Sequence, residues 1–293
     1  MYYLETNAVR AIARRLRVAP IEIRRTLFTS VLAVFELVSG ITESDFRLRR
    51  TFLCDVLKSK LRIDWRSPSQ VIANSFGQSI ASDALSTTTR RAFFVIAASN
   101  SLEDAISACE RHRPPIDLAQ LIAAKGGLSQ IYGAARARQN AEYQSQLNSE
   151  PLRTLLATAA IDTASKRRAL VEEFARDLDE KLLQDSASAT VANMSVLDLD
   201  PAQLLTLYNG SIHRYIQATR WLQFDSMLLQ NSAGENDAPD VLHFLYVDND
   251  TRMISSDKLS ARIAAGLWPE RVVSIPQFLK DVTPRIPNTG SAF

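Results

Sequence analysis

Cysteine and histidine are scarce in this sequence, with two and three residues respectively in a chain of 293. Cys54 and Cys109 lie far apart and next to no histidine cluster. That excludes a disulfide framework and a Cys/His zinc site, and it fits buried thiols in a reducing compartment, so a cytoplasmic location is expected. His112, His213 and His243 are widely separated, which leaves a serine or cysteine triad without support. His243 lies in an apolar run and reads as a satisfied core histidine. Net charge is also small: 34 basic against 32 acidic residues leave +2, so no chain-wide basic field advertises nucleic-acid binding. Long hydrophobic runs are missing too. No stretch approaches the roughly 18 apolar residues of a membrane span, and Glu5 and Arg10 interrupt any signal-peptide core, so no membrane partner is expected.

The 46% hydrophobic and 23% charged residues describe a globular chain and exclude disorder and fibre. Apolar Tyr2–Leu4 reads as a strand, followed by a helix over Thr6–Leu16 with Ala8, Ile12 and Leu16 at helical spacing. A second strand is predicted at Thr26–Thr29, with Ser30 starting a helix that carries Val31, Val34, Phe35 and Val38 on its apolar positions and Glu36 within it. From residue 51 to 231 the texture changes. Alanine, leucine, arginine and glutamine dominate, and helix is expected to follow helix, with Ser67-Pro68 and Asp200-Pro201 as start signals, breaks at 111–117 and 123–128, and the longest periodic stretch at Arg153–Leu183. Strand and helix return from 232 to 293: an acidic helix start, apolar Val241–Val247, a strand at Arg252–Ser255, a helix at Lys258–Ala265 and a strand at Arg271–Ser274. Residues 1–50 and 232–293 thus read as one α/β unit with a central parallel sheet, and 51–231 as a large helical insertion lobe.

Four acids share one structural address in this reading: Glu5 after the first strand, Glu36 on the second unit's helix, Asp240 at the acidic helix start and Asp257 after the next strand. Asp237 is a fifth, three residues before Asp240. Carboxylates so gathered repel one another unless a cation holds them ionised, and an oxygen-only ligand set suits magnesium or manganese. A simpler role exists for several of them. Glu5, Asp237 and Asp240 stand where a helix-capping acid would stand, and Asp257 where a turn acid would stand. Glu36, between Phe35 and Leu37, is costly to bury without a partner.

"YLETNAV" resembles the opening strand and acid of PIN-domain nucleases, "TSVLAVFELVSGI" their second block ending in a helical glutamate, and "DAPDVLHFLYVDNDTRMISSDKLSARIA" their paired last acids. The resemblance implies a PIN-like three-layer fold and metal-binding roles for Glu5, Glu36, Asp240 and Asp257, with Asn7 and Ser255 or Ser256 as polar neighbours and Asp237 as an outer acid. It implies an Mg2+- or Mn2+-dependent nuclease, an endoribonuclease before a deoxyribonuclease, of toxin-like or defence type. RNA is then the expected partner, with DNA second and an antitoxin or other regulatory protein as the protein partner; homo-oligomerisation stays open. One departure is visible: Glu5 stands where the family usually has aspartate. The alternative is a PIN-like binding or regulatory module without turnover, its helical lobe serving as a partner platform.

Overall fold

The computed structural model describes residues 1–123 except 82, 163–176, 180–194, 200–229 and 237–282, with 141 and 145 singly. The break expected at 123–128 lies almost wholly outside the described residues, as does the first part of the long periodic stretch from Arg153. Five parallel strands form one sheet in the order β3-β2-β1-β4-β5: β1 (Tyr2–Leu4), β2 (Leu27–Ser30), β3 (Arg62–Asp64), β4 (Arg252–Ser255) and β5 (Val272–Ser274). Residues from the two ends of the chain therefore meet at its centre, where Tyr3 pairs with Phe28 on one side and Met253 on the other.

Period-2 alternation divides the side chains between the two faces. Leu4, Leu27 and Ile254 enter one core, while Tyr3, Phe28 and Met253 enter the other. On the first face lie α1 (Thr6–Leu16), α2 (Ile21–Arg25), much of α3 (Val31–Val38), α4 (Phe46–Ser59), α6 (Ala84–Ala98) and α7 (Leu102–Arg111). The second face is covered by α5 (Pro68–Ser75), α8 (Ala164–Arg176), α9 (Glu180–Met194), α10 (Pro201–Leu205), α11 (His213–Leu228), α12 (Asp237–Leu242), a 3-10 turn (His243–Tyr246) and α13 (Lys258–Leu267). A last helix, α14 (Ile275–Val282), returns Phe278 to the first core. The result is a layered α/β protein. Among the described residues no helix is long and apolar enough to cross a membrane.

Two features differ from the sequence expectation. The stretch from 51 onward is not helix alone, because Arg62–Asp64 supplies the edge strand, pairing Ile63 with Thr29. Three residues flanked by charge carry too little periodicity to announce a strand, and pairing with β2 decides the conformation. Val171, Leu204, Ile216 and Trp221, all from the expected insertion, share a core with Tyr3 and Phe28 of the sheet. Start signals fared better. Ser67 accepts from the Gln70 N–H at 3.2 Å while Gln70 Oε1 accepts from the Ser67 N–H at 2.9 Å, a complete capping box with Pro68 in the first turn.

Candidate functional site

Strand order and helix placement locate a candidate ligand site without reference to any particular side chain. From β1 the chain moves outward through β2 to β3, whereas β4 and β5 lie on the opposite side. Helix α1, after β1, packs on one face, and α13, after β4, on the other. The two neighbouring strands therefore send their helices apart, and the gap at their carboxyl ends is the switch point where open α/β sheets bind ligands.

Glu5 immediately follows β1. Its N–H donates to Ile254 O at 3.4 Å and its carbonyl accepts the first helical bond, from the Val9 N–H at 2.9 Å. Its backbone thus serves as the N-cap of α1, but the side chain makes no capping hydrogen bond. Oε1 instead accepts, at 3.4 Å, from the Ser256 N–H just beyond β4, while the Asn7 N–H lies near enough to favour the anion. The residue is only 4% exposed. Burial pushes its pKa upward, His243 opposes this and Glu36 adds to it.

Glu36 projects from α3, where Thr6 Oγ1 donates to Oε2 and His243 Nε2 stands 3.2 Å from Oε1. The partner demanded by a carboxylate between Phe35 and Leu37 is therefore an imidazole and a hydroxyl. His243 is 1% exposed, and its Nδ1 lies 2.5 Å from the Tyr3 hydroxyl. Burial alone would lower its pKa, but Glu36, Glu5 and Asp240 outweigh that and raise it. The expected core histidine is thus satisfied, and it is satisfied by a site acid. The helix expected to run through Val247 tightens at His243 into a 3-10 turn, in which residues i and i+3 eclipse. His243 and Tyr246 accordingly both lie against Tyr3, at ring centroid distances of 5.8 and 5.6 Å.

Asp237, not Asp240, is the first residue of α12; Asp240 sits three residues further in. Its carboxyl is pushed up to about 7, chiefly by burial, next by Asp257, with Glu36 and Glu5 adding and His243 opposing. The ionisation of Asp240 is thus opposed by Asp257, Glu36 and Glu5. Asp257 does act as a cap: its Oδ1 accepts from the Ser260 N–H at 2.7 Å, while its own N–H donates to Ser255 Oγ at 2.9 Å. Ser256 and Asn7 are exposed at the rim.

Two arginines flank Glu36. Arg49 closes the end of α3, donating through one terminal nitrogen to the carbonyls of Glu36, Leu37 and Ser39, and through Nε to Asp45 Oδ2 at 2.6 Å. Arg10, one turn beyond Thr6 on α1, is half-buried, and its Nε has no hydrogen-bond partner among the described residues. Burial and Arg49 disfavour its charge, while Glu36 and Glu5 favour it. Thr6, Arg10, Tyr3 and His243 were not among the residues singled out for this site from the sequence. The spacing of His243 three residues after Asp240 was the one available signal.

The donor chemistry, hard carboxylate oxygens crowded until one is held near neutrality, fits a divalent cation. Among the described residues, however, no three carboxylate, imidazole or thiolate groups stand in a ready-made metal-binding arrangement. Glu36 is turned toward Thr6 and His243, and Asp257 toward its own helix. The fold and site together define a parallel α/β protein with acidic residues at the switch point of its sheet. No family model, curated protein or solved structure matches the chain.

Proposed function

We propose that this protein is a PIN-like, Mg2+- or Mn2+-dependent nuclease whose preferred substrate is RNA. The observation that carries the reading is the placement of Glu5 and Asp257 just beyond the ends of β1 and β4, with Asp240 near Asp257, Glu36 and Glu5 and its carboxyl pushed up to about 7, chiefly by burial and next by Asp257. Gathered carboxylates oppose one another's ionisation, and a cation reverses that opposition. Glu5, Glu36, Asp240 and Asp257 would hold the ion, with Asp237 outside. When bound, it would supply charge neutralisation at a phosphodiester and an activated water. The chain's own residues would orient the substrate: Arg10 offers a cation beside the acids for a phosphate oxygen, and Ser256 and Asn7 offer polar groups at the rim. RNA is preferred over DNA on the family resemblance alone.

A second reading is favoured by one observation. The Glu36–His243 contact gives the acids an internal imidazole partner, a cation whenever the ring is protonated, as a PIN-like binding module without turnover would need. Purified protein incubated with single-stranded RNA and DNA, with and without manganese, separates the two. Manganese-dependent cleavage supports the nuclease; intact substrates under all conditions support the binding module.

A further inference from the structure

The hydrogen bonds that end on Glu36 form a chain across the sheet edge. The Ala33 N–H donates to Ser30 Oγ at 3.4 Å, and Ser30 Oγ lies 2.8 Å from the Tyr3 hydroxyl. That hydroxyl is 2.5 Å from His243 Nδ1, and His243 Nε2 is 3.2 Å from Glu36 Oε1. A carboxylate only accepts, so Nε2 carries the proton. With a neutral ring, Nδ1 accepts from Tyr3, which accepts from Ser30. With a charged ring, Nδ1 donates and the hydroxyl protons turn round. In both cases Nε2–H points at Glu36.

We propose that His243 is a positioning residue whose Nε2–H fixes the Glu36 carboxylate in the acid site, a role that rests on the metal-site reading above. Glu36 has three side-chain torsions, and Thr6 on one oxygen with His243 on the other removes that freedom. The imidazole is itself held, at 1% exposure, with its ring against the Tyr3 ring, Nδ1 on the Tyr3 hydroxyl and Nε2 on the carboxylate. A purely structural histidine would be satisfied by any two buried polar atoms. This one spans from the central strand to an acid on the neighbouring unit, which is how outer-shell imidazoles and carboxylates orient metal ligands.

Two substitutions in the full chain separate positioning from packing, because the glutamine amide nitrogen reaches the place of Nε2 and the asparagine amide nitrogen that of Nδ1. Manganese affinity is read by electron paramagnetic resonance, kcat and KM on a single-stranded RNA oligonucleotide, and folding by circular dichroism. His243→Gln should stay within about threefold of the parent, whereas His243→Asn should lose about 10- to 100-fold in metal affinity or kcat with KM for RNA nearly unchanged. Equal effects of the two, or parental behaviour of His243→Asn, would overturn the proposal. Imidazole 15N NMR of the parent gives a second readout that does not depend on the His243 variants folding. Nε2 should be protonated at pH 6 and pH 8, with a resonance that moves in Glu36→Gln; an unprotonated Nε2 overturns the role whatever the activity. A parent with protonated Nε2 that neither binds manganese nor cleaves RNA overturns the metal-site reading, and the positioning role falls with it while the hydrogen bond stands.

Discussion

Replacing Asp240 with asparagine should make the metal-free protein more stable, and only where Asp240 would be ionised in the unfolded chain. The carboxyl stands at about 7 in the folded protein against an ordinary 3.8. Between these values the folded state retains a proton that the unfolded state has released, so stability falls as pH rises through the interval and stays at the lower level above it. At about 1.4 kcal/mol per tenfold, the full interval corresponds to about 4 kcal/mol. Partial exposure and salt screening bring the expected gain of Asp240→Asn at pH 8 to about 2–4 kcal/mol, vanishing near pH 4. Burial opposes the ionisation most, Asp257, Glu36 and Glu5 add to it and His243 favours the charge. Denaturant titrations of parent and variant at pH 4, 5.5 and 8 in chelator measure it; for chains of about 150–250 residues, each kcal/mol also moves the thermal midpoint by about 2–4 °C. A variant no more stable than the parent at pH 8, or a gap that does not change with pH, would refute the reasoning.

Glu5→Gln should cut manganese affinity and cleavage by about tenfold or more with stability at pH 8 held or raised. A loss of about 1 kcal/mol with unchanged cleavage would instead mark a capping role. Arg10→Ala should raise KM for RNA several-fold and reduce the salt slope of RNA binding by about one, which a filter-binding series at increasing salt would read. Ser67→Ala removes a capping box distant in sequence from the acids. It should cost about 1 kcal/mol in denaturant titration and leave cleavage at the parental rate.

The sheet was largely legible in the sequence because its strands are short apolar runs followed by helix starts. Tyr2–Leu4 and Arg252–Ser255 stand as expected, and Leu27–Ser30 and Val272–Ser274 each lie within one residue of expectation. Arg62–Asp64 was illegible because an edge strand of three residues, two of them charged, is defined by its partner Phe28–Ser30 more than by itself. The acids could be named from their positions at strand ends and helix starts, since local rules govern those positions. Their partners could not. Whether Glu36 meets a cation, a hydroxyl or an imidazole depends on Thr6 and His243, 30 and 207 residues away in sequence. Glu5 likewise looks like a cap from its neighbours alone, and only the Ser256 N–H, 251 residues further along, shows where its side chain turns.

The most direct measurement is a manganese titration of the purified protein at pH 7.5, followed by electron paramagnetic resonance, with parent and Asp240→Asn side by side. A carboxylate site at the β1/β4 switch point predicts saturable binding by the parent, a gain in its thermal midpoint as the acids are neutralised, and loss of both in the variant. Absence of saturable binding, or equal binding by the two proteins, would contradict a metal site at these acids.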